Sequence, residues 1–172
     1  MRKSIIMASA AMAVALLGCS SEDAGSTKRE AGNWANEVEI VKLEMPGMPP
    51  EVQQSMKTMM ASNGATNYCL TPEEAAKDDL DSLLADGPGN GGECKWSKKD
   101  INGKNVDVAG TCTQNGQSAE LAMKGSIEAT QSDMTITTKA QAPNGQPMEM
   151  VMRVKSKRTG ACDTATPAKA AS

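Results

Sequence analysis

Sulfur-bearing side chains are the residues of this sequence that could do chemistry. The chain of 172 residues contains 5 Cys and 13 Met, but it has no His and no Phe. Without His, the Ser-His and Cys-His pairs that activate a nucleophile cannot form. Thiols can be acylated, oxidised to disulfides or bound to zinc, and thioethers can bind Cu(I) or make adaptable apolar contacts. We therefore predict a protein that is not an enzyme and that has no cofactor.

Cys19 ends a segment typical of an export leader. Arg2 and Lys3 precede an apolar run, Ile5 to Leu17, which has the length of a signal-peptide core and is too short to span a bilayer. The sequence Leu16-Leu17-Gly18-Cys19 resembles the lipobox of bacterial lipoproteins. This resemblance implies cleavage before Cys19, a diacylglyceryl group on its sulfur and acylation, for instance by palmitate, of the new amine. An ordinary secretory leader with an incidental cysteine is the alternative.

The leader suggests a division of the chain and a location. We predict a lipoprotein signal peptide (1–18), a lipidated cysteine with a flexible tether (19–31), a single disulfide-bonded β-rich domain (32–162) and a disordered tail (163–172). Ser20 resembles the residue that sorts lipoproteins to the outer membrane, which implies a lipid-anchored protein facing the periplasm. The net charge of −3 argues against nucleic-acid binding. The partners that we expect are the membrane, through the lipid anchor, and an apolar ligand or an envelope protein.

Four cysteines remain after the leader. An even number of cysteines in an exported domain predicts two disulfides, and a zinc site is the alternative, although the closely spaced pairs of zinc sites are absent. A hairpin at Asn102-Gly103 places Cys94 within one residue of Cys112, and opposed strand residues lie at disulfide distance. We therefore pair Cys94 with Cys112 and, by elimination, Cys69 with Cys162.

The pattern of residues in the body of the chain predicts a β-meander with a helical insert. Three Asn-Gly steps, at 102–103, 115–116 and 144–145, separate segments in which apolar and polar residues alternate, and this pattern is typical of β-hairpins. We predict a mainly β (α+β) fold: a curved antiparallel meander of about six strands, one face covered by a helix, and two disulfides. The covering helix begins at Pro49-Pro50 and ends near Ser62. A second, short helix begins at Thr71 with a capping box.

The alternation also predicts the register, because a slip of one residue turns every side chain to the other face of the sheet. A two-residue turn at the second Asn-Gly step pairs Val108 with Met123. A two-residue turn at Gln131-Ser132 pairs Ile127 with Ile136. Both pairings keep an apolar residue opposite an apolar residue, so the strands share one apolar face and one solvated face.

Several short motifs stand out along the chain: Gly32-x-Trp34, Met45-Pro46-Gly47-Met48-Pro49, Tyr68-Cys69-Leu70-Thr71-Pro72-Glu73-Glu74-Ala75, Cys94-x-Trp96, Cys112 and Gly160-x-Cys162. Together they resemble the domain of unknown function 3617 family, which consists of small exported proteins of Gram-negative bacteria. Trp96 departs from the family pattern, where Tyr is commoner. The resemblance supports the four-cysteine framework but implies no function, because the family has none assigned.

The methionines allow three interpretations. They fill the core of a protein without Phe, they line an adaptable groove for an apolar ligand or partner, or they bind Cu(I). We expect a non-catalytic cell-envelope lipoprotein that acts as a binding or interaction module through a Met-rich groove. A periplasmic Cu(I)-binding protein and a purely structural envelope component are the alternatives, and no metal ligand is assigned. The residues of the predicted groove are Met56, Met59, Met60, Met123, Met134, Met148, Met150 and Met152.

Overall fold

The computed structural model describes residues 28–80, 84, 92–114, 116–142 and 145–162. The predicted leader, the lipidation site Cys19 and the predicted tail 163–172 lie outside the described residues. Among the residues that are described, no helix is long and apolar enough to cross a bilayer.

The described chain forms one open antiparallel sheet of seven strands and two short helices. The strand order is β2-β1-β7-β6-β5-β4-β3, so the last five strands form a meander. This confirms the mainly β fold, with one strand more than the six expected, because the short segment before the second helix pairs with the start of β1. The elements are β1 (Gly32–Glu44), α1 (Pro50–Gly64), β2 (Thr66–Leu70), α2 (Pro72–Lys77), β3 (Glu93–Asn102), β4 (Asn105–Gln114), β5 (Gln117–Ile127), β6 (Gln131–Gln141) and β7 (Pro147–Gly160).

The meander keeps the predicted apolar face, although one register differs. Val108 lies opposite Met123, as predicted. The pairing of Ile127 with Ile136 is wrong, since Ile127 lies opposite Ser132. The turn lies two residues earlier than predicted, at Ala129-Thr130, where the N–H of Glu128 donates to the carbonyl of Gln131 at 2.8 Å. The shift is an even number of residues, so the same side chains stay on the same face.

Both predicted disulfides are present. Cys94 lies directly opposite Cys112 on adjacent strands, with their Cα atoms 4.0 Å apart. A register shift between Trp96 and Lys98 adjusts the hairpin so that the two cysteines meet. Cys69 bonds to Cys162 with a Cα separation of 5.4 Å and joins β2 to the chain beyond β7. Each bridge restricts the unfolded chain and is worth about 3 kcal/mol.

The buried core occupies only part of the apolar face. Val106 and Val108 of β4 pack against Leu80 and Leu84, which follow α2. The indole N–H of Trp96 donates to the Leu84 carbonyl at 3.1 Å and holds this segment on the sheet. A second buried cluster joins the start of β1 to β2 and consists of Trp34, Tyr68 and Leu70.

Helix α1 has a smaller role in the core than the sequence suggests. It packs along β1, and none of its residues is buried. At its end, a Cβ on Gly64 would lie 2.7 Å from a methyl carbon of Val38, so glycine permits this close approach. The helix therefore covers β1 at one side of the sheet, whereas the covering of β4 comes from Leu80 and Leu84.

Candidate functional site: a methionine-bearing sheet face

The sheet methionines named by the sequence lie on one face. Alternate residues of a strand point to the same side, and directly opposed residues of neighbouring strands share that side. Met123 lies opposite Ile136, which in turn lies opposite Met152. Met134 lies opposite Val154 in the adjacent row. We call this surface the methionine face and define it by Leu121, Met123, Met134, Ile136, Met148, Met150, Met152 and Val154.

Among the described residues, the methionine face is only partly covered, since Met123 and Met134 pack against the cluster that contains Leu80 and Leu84. In β4, buried and more exposed residues alternate, with Val106 at 2 % and Val108 at 0 % exposure. In β7, by contrast, every residue from Met148 to Val154 is half-buried, whichever face it occupies. The central residues of β6 show the same pattern. The methionine side of β6 and β7 is therefore less covered than the same side of β4.

Helix α1 borders the methionine face through β1, the strand next to β7. Its half-buried residues recur at helical spacing and form one stripe, whereas Met59 lies outside the stripe and is 57 % exposed. Of the three helix methionines that the sequence assigned to the groove, the structure therefore turns two inward and one outward. The stripe consists of Gln53, Met56, Lys57, Met60, Ala61 and Gly64.

The opposite face of β5, β6 and β7 carries the charges. All three acidic residues of these strands, Glu120, Asp133 and Glu149, lie on it by alternation. Arg153 donates to Asp133 through two hydrogen bonds of 2.8 and 2.6 Å. These hydrogen bonds lower the pKa of the Asp133 carboxyl, while the hydrogen bond from Lys42 lowers that of Glu149. The methionine face carries no charged residue, so the two faces differ sharply in polarity.

An apolar cleft lies at the end of the sheet where β1 and β6 end and β7 begins. It has a volume of about 580 Å³ and is enclosed by the loop before α1 and the connection between β6 and β7. The side-chain amide of Gln53 donates to the Met48 carbonyl at 2.9 Å and fixes the loop. We call this feature the tip cleft. Its lining consists of Met45, Pro46, Gly47, Met48, Pro49, Val52, Ala142, Gln146 and Pro147.

A larger and more polar cavity of about 910 Å³ adjoins the tip cleft and shares Pro46, Ala142 and Pro147 with it. Met148 of the methionine face lines this cavity together with charged residues, among them Lys139 and Glu149. The apolar and polar surfaces therefore meet at this end of the sheet.

At the other end of the sheet, Arg29 connects the N-terminal segment to the domain. Its guanidinium donates to both oxygens of Asp78, at 2.6 and 2.7 Å, and to the Tyr68 hydroxyl at 2.6 Å. It also lies 5.2 Å from the ring centroid of Trp34. Burial raises the pKa of Tyr68, and the nearby guanidinium opposes this shift. We call these four residues the Arg29 cluster, which the sequence reasoning missed because no periodic pattern relates residues so far apart.

Metal-ligating groups are not clustered in the part of the chain that the structure describes. No group of three or more His, Cys, Asp and Glu residues could hold a metal ion there. The four cysteines of the zinc alternative are instead joined in disulfides.

Comparison with known proteins assigns the family but no activity. Residues 29–162 match the family described as Protein of unknown function (DUF3617). The chain belongs to this family. The DUF3617 match runs from the arginine of the Arg29 cluster to the last disulfide cysteine and so includes the methionine face and the tip cleft. No curated protein and no solved structure matches the chain significantly.

Proposed function

We propose that this protein is a non-catalytic lipoprotein of the cell envelope that binds an apolar ligand or partner on its methionine face. The observation that carries the proposal is the half-burial of β6 and β7 on both sides. An apolar sheet face is normally buried against another layer, and an apolar surface left open is typical of interaction sites. Methionine suits this role because its flexible, polarisable side chain adapts to different contacts.

The proposed location depends on the leader and agrees with the cysteine chemistry. We propose cleavage before Cys19, acylation of that cysteine and anchoring in the outer membrane, with the domain facing the periplasm. Disulfides persist in oxidising compartments, so the two bridges of the domain suit an exported protein. Two or more acyl chains would make the anchoring stable.

Native mass spectrometry tests the binding proposal. The form to use spans residues 20–172, which keeps every described residue, and it is exported to the periplasm and purified without added metal or detergent. We expect a reproducible adduct at the mass of a fatty acid or phospholipid, either as purified or after incubation with envelope lipid. A bare mass under both conditions would contradict a lipid-binding site.

Two matched substitutions locate the site. Met150→Glu introduces a charge on the methionine face and is expected to abolish the adduct, because burying an unpaired carboxylate against an apolar ligand is costly. Met59→Glu makes the same chemical change on the exposed side of α1 and is expected to leave the adduct unchanged. Equal loss in both variants, or loss in neither, would place the binding elsewhere.

The same mass spectra distinguish the alternative of Cu(I) binding from the binding of a lipid. Thioethers are soft ligands that select Cu(I), and three of them lie on one strand at alternate positions, at Met148, Met150 and Met152. An adduct of one or two copper ions after incubation with Cu(I), lost in Met150→Leu, would favour a metal-binding protein. Leucine preserves the apolar surface, so a lipid adduct should survive that substitution.

A further inference from the structure

We infer that the ligand of the methionine face is a single-chain amphiphile with an anionic head group, such as a long-chain carboxylate. This inference depends on the proposed function and adds the chemical class of the ligand. The tail would lie on the methionine face and in the tip cleft, and the head group would pair with Lys57 of α1.

Lys57 supplies the charge argument. It is the one charged residue of the inward stripe of α1, where it lies between Met56 and Met60 and is half-buried. Its neighbours Ser55 and Thr58 are exposed, so Lys57 belongs to the side of α1 that packs along β1. Within the described part of the chain, no carboxylate forms an ion pair with it. An anionic group at the border of the methionine face would give this cation a partner.

The distribution of acidic residues strengthens the argument. On β5, β6 and β7 the carboxylates all lie on the opposite face of the sheet. An anionic ligand on the methionine face therefore meets a cation at the border and no carboxylate on the floor formed by these strands. A cationic amphiphile would meet the same apolar floor but would be repelled by Lys57.

The dimensions suit an extended hydrocarbon chain. From Met148 to Val154 the methionine face runs along β7 for about 20 Å at 3.3 Å per residue. The tip cleft lies beyond the Met148 end of this strand, and its volume of about 580 Å³ falls within the range of small-molecule sites. On α1, Val52, Met56 and Met60 follow one another at intervals of four residues and continue the apolar lining along the helix.

Isothermal titration with two detergent-like probes of equal chain length tests the inference. Laurate and dodecyltrimethylammonium differ in the sign of the head-group charge, and both are used below their micellar concentrations. With the 20–172 form we expect laurate to bind about twofold to fivefold more tightly, the range that one partly exposed ion pair provides. We expect Lys57→Glu to reverse this preference and Lys57→Met to remove it.

Lys95→Glu is the matched control, because it reverses an exposed charge on the edge strand β3. It should leave the preference for laurate unchanged, and circular dichroism checks that each variant folds. A preference that changes equally in Lys57→Glu and Lys95→Glu would reflect net charge and would overturn the role of Lys57.

The outcomes separate this inference from the proposed function. If both probes bind and Met150→Glu abolishes the binding of both, but the Lys57 substitutions do not change the preference, the inferred anionic head group is wrong. The apolar site remains supported in that case. If neither probe binds but an amphipathic helical peptide does, the site takes a protein partner and the amphiphile inference is overturned. If no probe binds, or if Met150→Glu changes nothing, the proposed function itself fails.

Discussion

Arg29 shows how single residues hold this fold together. Its guanidinium is bound to Asp78, whose side chain is only 5 % exposed, and to the buried Tyr68. Removing one partner of a buried ion pair leaves the other charge without compensation, and this costs more than the pair contributes when it is intact. The Arg29 cluster thereby fastens the chain before β1 to the residue that follows α2.

We predict that Arg29→Met lowers the free energy of unfolding by about 3–5 kcal/mol, the usual cost of breaking a buried pair. The double variant Arg29→Met/Asp78→Asn should lose less, because a neutral amide then replaces the buried carboxylate. Chemical denaturation of the wild type, both single variants and the double variant measures this difference. Additive losses in the cycle would show that the two side chains are not coupled.

Tyr68 allows a direct measurement of its own environment, since it is the single tyrosine of the chain. Burial raises the pKa of its hydroxyl above the ordinary value of 10.0, although Arg29 acts in the opposite direction. A raised pKa in the folded state means that the neutral hydroxyl is favoured. Its contribution to stability is therefore fully present below pH 10 and is lost as the pH rises through the folded-state value.

We predict that absorbance at 295 nm titrates at higher pH in the folded protein than in the same protein in denaturant. Stability measured by chemical denaturation should fall over the same alkaline range. Coinciding folded and unfolded titration curves would contradict the burial of this hydroxyl.

Among the elements, the edge hairpin of β3 and β4 depends on a glycine. A Cβ at Gly110 would lie 2.6 Å from the Lys95 carbonyl oxygen and 2.9 Å from the Trp96 ring. Trp96 in turn donates to the Leu84 carbonyl, so the space at Gly110 determines how Leu84 lies over the sheet. The packing of Leu84 over β4 therefore depends on the absence of a side chain at Gly110.

We predict that Gly110→Ala destabilises the protein by about 1–3 kcal/mol through overpacking and changes the fluorescence of Trp96. Gly160→Ala is the matched control, because no atom lies within 4 Å of its added Cβ. Thermal unfolding followed by fluorescence compares the two variants. Equal melting temperatures would contradict the packing described at Gly110.

The strands of the meander could be predicted because apolar and polar residues alternate regularly along them. The turn after Ile127, the strand β2 and the position of α1 could not be predicted, each for a different physical reason. Val108 and Met123 meet as predicted since Asn-Gly fixes a short turn. The turn after Ile127 contains no such signal, and a register shifted by an even number of residues satisfies the same pattern. The five residues of β2 are too few for periodicity to reveal a strand. That α1 packs mainly along β1 depends on tertiary packing, which the spacing of its methionines does not encode.

On the scale of the whole molecule, the part of the chain that the structure describes is a seven-stranded sheet with an incomplete second layer. α1 lies along β1, and Leu80 and Leu84 pack with β4 and against Met123 and Met134, so Ile136 and the methionines of β7 lie between these two covered regions. The disulfides and the Arg29 cluster stabilise the two edges of the sheet, one formed by β2 and β1 and the other by β3 and β4. These links hold the sheet at both edges, on either side of the methionine face.

The measurement that tests this account most directly is the rate at which each methionine is oxidised by dilute hydrogen peroxide. Mass spectrometry of peptides from the folded 20–172 form gives these rates, with the exposed Met59 and the denatured protein as references. We predict that Met148, Met150 and Met152 oxidise in the folded protein at rates comparable with that of Met59, and that laurate protects them but not Met59. Slow oxidation of these three residues until the protein unfolds would mean that they are core residues, and it would contradict an open methionine face.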